Sequence, residues 1–331
     1  MNDITMTNAR ILCENAVNAS SVFVWQGQLH AVAFAAAMGT DRVDVQRAKA
    51  AKKTVSSRTG FLSSLGSSAT QCITASAVCK SDDPDRTIEE IKEIYKIVKK
   101  RFWGNEYSAL ASVILYNSGK DIGTVVENMD QIHKLMKKDH FFYSSSEDTA
   151  TYAIMALSGK SPEYLEEETE RCYKTLKPYF FDHNDLLTLS CLLSIYDEPY
   201  DVKCRRVVEL RDGLKKKGLK ISGYSSAAIL APLVKASFGH DVNALISEVV
   251  ETERYLSTKK IFGGILGIGK SMRVMFSCAV VSNSLGDAED SVTNAMAASV
   301  TAIVTEEVVM TACMCACIAS STAAASSTSC S

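Results

Sequence analysis

The sequence predicts an all-α chain of helical hairpins that recur about every 40 residues and form a superhelix or an α/α toroid-like array. Three observations predict it. The first is the hairpin at residues 107–139, where an apolar run ends at Ser118-Gly119-Lys120-Asp121 and an amphipathic run follows. Glycine suits the left-handed residue that closes a helix, and aspartate suits the N-cap of the next. The second is that steps of about 40 residues from Asp121 reach Asp41, Ser81, Ser161, Asp201 and Asp241, all strong N-cap types. Gly39, Gly159 and Gly239 keep the register of Gly119, while the other copies use Lys80-Ser81 and Glu198-Pro199. The third is a repeated helix face. Ala33, Ile73, Val113, Ala153, Leu193 and Leu233 form one apolar column, and Leu29, Ala69, Ala109, Thr149, Leu189 and Ile229 form the column one turn earlier.

Taken in order, residues 1–21 form an opening helix with Ile4, Ile11, Leu12, Ala16 and Val17 on its apolar face. The repeat array then covers residues 22–305 in about seven hairpins. Its first copy places helix A at 22–38 and helix B at 42–55. Further copies follow at 67–101, 105–139, 146–178, 184–218 and 224–260. Pro84 and Pro162 fall in the first turn of a helix B, where a missing N–H costs little. A glycine-rich stretch at 262–269 shifts the last copy to 271–285 and 289–304, joined at Gly286-Asp287, as expected of a capping repeat. Residues 306–331 form an apolar C-terminal helix and a Ser-rich tail. The apolar part of that tail is about half the ~20 residues a membrane span requires.

Composition narrows the function classes. A chain of 331 residues with net charge −2 has no bulk attraction to nucleic acid or membrane. No basic-then-apolar N-terminal segment suggests a signal peptide. The eleven cysteines are scattered in apolar runs without framework spacing, which points to a reducing cytoplasm. Cys313, Cys315 and Cys317 would need an unwound segment to share one ion, since alternate residues on a helix point about 200° apart.

Charge is asymmetric between the two edges of the expected stack. Helix-B starts are acidic: Asp82, Asp83, Asp85 and Glu89, then Glu163 and Glu166 to Glu168, then Glu198 and Asp201. Helix-B ends are basic: Lys52 and Lys53, Lys99 to Arg101, Lys137 and Lys138, Lys174 and Lys177, Lys215 to Lys217, Lys259 and Lys260. Both match the helix dipole. Aromatic residues flank the basic ends at Phe102-Trp103, Phe141 to Tyr143, Tyr179 to Phe181, Tyr224 and Phe262. Lysines beside aromatics suit an acidic protein or a polyanionic strand.

Gly264-Ile265-Leu266-Gly267-Ile268-Gly269-Lys270-Ser271 matches the spacing of a phosphate-binding loop. The polar stretch 257–262 before it is a poor buried strand, so a P-loop enzyme is not expected. A looser anion site at Gly264, Gly267, Gly269, Lys270 and Ser271, near Lys259 and Lys260, remains a candidate. His140 and His183 lie near acidic or hydroxyl-bearing caps, yet no spacing marks a catalytic group, a metal site or a cofactor.

Ser144-Ser145-Ser146-Glu147-Asp148, leading into an apolar helix that ends Leu157-Ser158-Gly159, resembles an uncharacterised bacterial family, domain of unknown function 4003. Ile268-Gly269-Lys270-Ser271-Met272-Arg273, opening a late helix, carries the same resemblance. It implies a bacterial cytoplasmic protein and supplies no activity. The expected function is a non-enzymatic interaction scaffold for a protein partner, working through the helix-A face or the basic, aromatic rim. The alternative is a binding protein for a phosphorylated small molecule or polyanion at the glycine-rich rim, with or without chemistry. Membrane attachment is not expected.

Overall fold

Two kinds of helix alternate along this chain, and the difference is written in their burial. A computed structural model describes residues 1–60, 63–139, 148–221, 226–264 and 267–285. These hold α1 (Asp3–Ser20), α2 (Gln28–Met38), α3 (Val45–Arg58), α4 (Ser68–Lys80), α5 (Pro84–Arg101), α6 (Glu106–Ser118), α7 (Ile122–Asp139) and α8 (Thr149–Leu157). They continue with α9 (Pro162–Leu176), α10 (His183–Ser194), α11 (Tyr200–Lys216), α12 (Leu230–Ser237), α13 (Val242–Ser257), the single turn α14 (Lys260–Gly263) and α15 (Lys270–Leu285). No strand occurs among the described residues.

The first kind of helix is enclosed. Every residue of α6 from Tyr107 to Leu115 is buried, and so is every residue of α8 from Thr149 to Ala156. Burial on all sides means packing on all sides. Buried hydroxyls in these helices donate back to their own backbone, Ser112 to Ser108 O at 2.6 Å and Ser190 to Leu186 O at 2.8 Å, which satisfies those small polar groups inside the core. The second kind is amphipathic. The α5 helix buries Thr87, Ile88, Ile91, Ile94, Tyr95 and Val98, spaced by three and four, and keeps charge on its other face.

Contacts follow the same division. The enclosed helices touch in succession, α2 with α4, α4 with α6, α6 with α8, α8 with α10, α10 with α12 and α12 with α15. The amphipathic helices touch likewise, α3 with α5, α5 with α7, α7 with α9, α9 with α11 and α11 with α13. The opening helix α1 meets α2 and α3 at one side and α13 and α15 at the other. The Asn8 amide donates to Ser284 Oγ at 2.9 Å, and the Asn2 amide to Glu248 Oε1 at 2.8 Å, across that second side.

The register of caps is partly displaced from the expected one. Asp121, Ser161 and Asp241 do cap α7, α9 and α13, accepting from Thr124 N at 2.8 Å, Tyr164 N at 3.2 Å and Ala244 N at 2.8 Å. Gly119 is left-handed, with φ 62°. Elsewhere the cap moves. Asp44 caps α3 in place of Asp41, because Asn15 holds the intervening loop through Asp41 O and Val43 N. Asp83 replaces Ser81, because Pro84 keeps the residue before it out of the helical region. Pro199 starts α11, which places Asp201 inside the first turn.

The first two helices also differ in detail from the expected ones. The first helix A begins at Gln28, after Gly27 at φ 91°, and residues 22–27 form a turn. On α1 the buried face is Thr5, Ala9, Leu12, Cys13, Ala16 and Ala19, while Ile4 and Val17 are exposed. Glu168 was expected on an acidic rim and lies inside, against Lys203 of α11 at 2.8 Å. The partner helix at 289–304, the tail 306–331 with its three cysteines, and His140 to Glu147 lie outside the described residues.

His133 of α7 sits between the rings of Phe102 and Tyr152, at centroid separations of 5.5 and 5.6 Å. Burial holds its pKa below the ordinary 6.5, with Lys137 adding to the effect. Well above pH 6.5 the ring is neutral folded and unfolded, and contributes no pH dependence. As pH falls below that value the unfolded chain takes the proton first, so stability drops until the folded pKa is passed. His133→Gln is expected to remove this loss, seen as a flatter Tm against pH between about 6.5 and 5.

Candidate functional site

The connections between helices fall into two classes with opposite chemistry. Connections leading from an enclosed helix into an amphipathic one are stitched to their neighbours. Lys80 reaches Asp41 at 3.8 Å, Lys120 donates to Leu157 O at 2.6 Å, and Lys160 pairs with Asp197 at 2.7 Å. His240, in the same register, donates from Nε2 to Leu285 O at 3.3 Å. Three lysines and a histidine, spaced by multiples of 40 residues, thus tie these connections to neighbouring segments. Lys235 to Glu198, at 3.0 Å, adds to the series.

Three of the connections leading into enclosed helices carry exposed aromatic rings instead. Trp25 is 95% exposed before α2, Trp103 is 80% exposed before α6, and Phe181 is fully exposed before α10. Tyr179 beside it is half-exposed. These rings distinguish this class of connection from the stitched one.

Each ring stands on a fixed loop. For Trp25, the ammonium of Lys52 donates to Val22 O and Gln26 Oε1, both at 2.9 Å, and lies 4.9 Å over the Phe23 ring. The Gln26 amide donates to Gln71 Oε1 at 3.0 Å. Burial pulls the Lys52 pKa down. For Trp103, Asn105 caps α6 through Ser108 N at 3.0 Å, and both Asn105 N and Ser108 Oγ donate to Trp103 O. For Phe181, Asp182 caps α10 by accepting from Asn184 N and Asp185 N, and Arg211 donates to Tyr179 O. The Arg211 guanidinium also covers the Tyr179 and Phe180 rings at 5.4 and 5.3 Å.

Cations accompany the rings. Lys100 and Lys177 are exposed beside Trp103 and Phe181, and neither has a carboxylate partner among the described residues. Lys99 lies over the Tyr95 ring at 5.7 Å. Other basic residues of the expected rim are already spent, Arg101 on Asp130 at 3.0 Å and Lys174 on Glu170 at 2.8 Å. Phe102 and Phe262 are core residues, the latter edge-on to Phe276 at 6.3 Å. Phe141 to Tyr143 and Tyr224 lie outside the described residues. Trp25 escaped the sequence reading because no basic helix end precedes it in the chain. The lysine beside it comes from α3.

The glycine-rich stretch is a tight corner. Gly264 N donates to Lys260 O at 3.0 Å, Gly267 N to Gly264 O at 2.8 Å and Ile268 N to Ile261 O at 3.4 Å. Those amides are engaged within the corner rather than aimed at a ligand. Gly269 precedes α15, Lys270 is exposed as its first residue, and Ser271 is half-buried. Arg273 braces the corner by donating to Phe262 O at 3.2 Å, Ile268 O at 3.3 Å and Glu253 at 3.0 Å. The segment before it is the turn α14, so the strand of a P-loop is not there.

His183 accepts from or donates to the Tyr173 hydroxyl at 2.9 Å, a pair that joins α9 to α10. No group of three His, Cys, Asp or Glu residues suited to a metal occurs among the described residues. Nor is any helix of the described residues long and apolar enough to cross a membrane. Residues 17–309 match the family described as "Protein of unknown function (DUF4003)". No curated protein matches the chain, and no solved structure does.

Proposed function

The chain belongs to the DUF4003 family, whose description assigns no activity, and we propose that it is a non-enzymatic interaction scaffold built as a closed ring of helical hairpins. The enclosed helices form the inner layer and the amphipathic helices the outer one, in repeats of about 40 residues. The return of contacts from α15 and α13 to α1 supports closure. In such a ring all outer-to-inner connections share one edge. The Ser64 hydroxyl, 3.4 Å from Gly104 O, joins two of them.

That edge is the working surface. The single observation that carries this reading is the display of Trp25, Trp103 and Phe181 on hydrogen-bonded loops at one class of connection, while the other class is stitched shut. Among the described residues, the inner helices leave no comparable open face. Rigid aromatic anchors lose little entropy on binding and serve as interface hot spots. Lysines such as Lys100 and Lys177 select an acidic polypeptide segment as the partner. The buried free thiols fit a reducing, cytoplasmic setting.

The chain's two tryptophans, Trp25 and Trp103, both lie on this edge, so native fluorescence reports on it directly. Unliganded protein is expected to emit as solvent-exposed tryptophan and to be quenched readily by acrylamide. An acidic peptide bearing leucine and phenylalanine should shift the emission to the blue and protect it. Phe181→Ala and Lys100→Glu should weaken that peptide by about tenfold each without lowering Tm. An oligonucleotide that protects the tryptophans where the peptide does not would replace the protein partner with a polyanion. Tryptophans unaffected by either would end the edge reading.

A further inference from the structure

One cavity stands apart from the aromatic rings. It is an open cleft of about 710 Å³ between α1 and the end of α13 with α14, lined by Arg10, Glu14, Val17, Tyr255, Lys259 and Lys260. That volume lies within the range of small-molecule sites, roughly 300–1,000 Å³. The lining is charged in one sense. The carboxylate of Glu14, the acid among these six, is taken by Arg42, which approaches it from outside the cleft. Arg10, Lys259 and Lys260 have no carboxylate partner among the described residues. Lys259 instead sits 4.3 Å over the Tyr255 ring, which fixes its ammonium at the wall.

Three cations facing one concavity repel each other, and an anion entering the cleft offsets that repulsion. Apolar surface lies beside them at Val17, exposed on α1, with the edge of the largely buried Ile261 in the wall. Cys13 also borders the cleft, but burial pushes its thiol up to about 12, Lys259 notwithstanding, so it is a neutral wall and not a nucleophile.

We propose that this cleft binds a small phosphorylated ligand, the phosphate held by Arg10, Lys259 and Lys260 and an apolar or aromatic group resting on Val17 and Ile261. This site goes beyond the scaffold reading, which makes no use of it. It also separates Lys259 and Lys260 from the glycine-rich corner, because the cleft's third cation comes from the opposite end of the chain. The ligand bridges α1 to α13 and α14, so occupancy clamps the join between the first helix and the later ones.

The test uses the full chain with phenyl phosphate as probe, and inorganic phosphate and benzyl alcohol as controls. Phenyl phosphate is expected to raise Tm by about 2 °C or more at saturation. Arg10→Ser and Lys260→Ser, both at exposed side chains, should keep the unliganded Tm and weaken binding at least tenfold in titration calorimetry. Lys270→Ser, Trp103→Ala and Phe181→Ala should leave phenyl phosphate binding unchanged. Should either cleft variant lower the unliganded Tm, Lys260→Gln gives the same reading with less change. No Tm rise, a rise matched by inorganic phosphate and kept in the Arg10 and Lys260 variants, or loss of binding in Lys270→Ser overturns the proposal. Tryptophan protection by the acidic peptide is read separately, so either idea can fail alone.

Discussion

Lys203→Ala is expected to destabilise the fold by about 3–5 kcal/mol, the cost of stranding a buried charge. Lys203 is wholly buried in α11, and its ammonium donates to Leu193 O at 2.9 Å, to Tyr196 O at 3.1 Å and to Glu168 at 2.8 Å. Those three acceptors use all three of its donors. Two of them are carbonyls at the end of α10, where unsatisfied oxygens and the helix dipole favour a cation. One side chain therefore fastens α9, α10 and α11 together. Removal takes that donor from two carbonyls and leaves the buried Glu168 carboxylate with only Arg171, at 3.8 Å, as a cation. Urea denaturation should show the midpoint fall with the slope unchanged. Lys203→Met with Glu168→Leu should recover much of the loss, since apolar pairs can replace a buried ion pair at little cost. A Lys203→Ala protein as stable as the parent would show that water reaches the pair.

The second large effect belongs to Gly263. A Cβ placed there would stand 1.8 Å from the backbone oxygen of Ser257, and neither backbone can yield without unwinding the end of α13. Gly263→Ala is expected to cost about 1–3 kcal/mol by overpacking, with Tm as the readout. Gly213 in α11 offers the contrast. Its added Cβ would meet only the terminal methyl of Ile246, at 2.2 Å, and a side-chain tip can rotate away. Gly213→Ala should be nearly neutral, and Ile246→Val in the same chain should improve it. Equal losses at both glycines would mean that the corner after α13 is softer than its backbone contacts imply.

The parts legible in the sequence are those written in neighbouring residues. The hairpin of α6 and α7 could be drawn in advance, because Gly119 and Asp121 each act within one turn of their own position. Asp83 and Pro199 displaced the expected caps for local reasons as well, two prolines that a strict period passes over, whereas Asp44 did so because Asn15 of α1 holds the loop before it. The rest depends on residues far apart in the chain. The charge of Glu168 pointed to a rim, and only the arrival of Lys203 from α11 explains its burial. The Trp25 loop is held by Lys52 of α3, more than 20 residues further along the chain. The cleft joins Arg10 to Lys259, and no pattern within either helix announces it. The exposed aromatics at Trp103 and Phe181 were legible as residues beside basic helix ends, while the fate of Phe102 and Phe262 was decided by packing.

The meeting of α15 and α13 with α1 bears on how this protein comes apart. An open row of repeats behaves like a one-dimensional chain of coupled units, and its terminal units fray because each has a single neighbour. Here the opening helix has neighbours on both sides, so releasing it breaks two interfaces at once. Amide hydrogens of α1 should therefore exchange with solvent almost as slowly as those of α6, through opening of the whole molecule rather than peeling from an end.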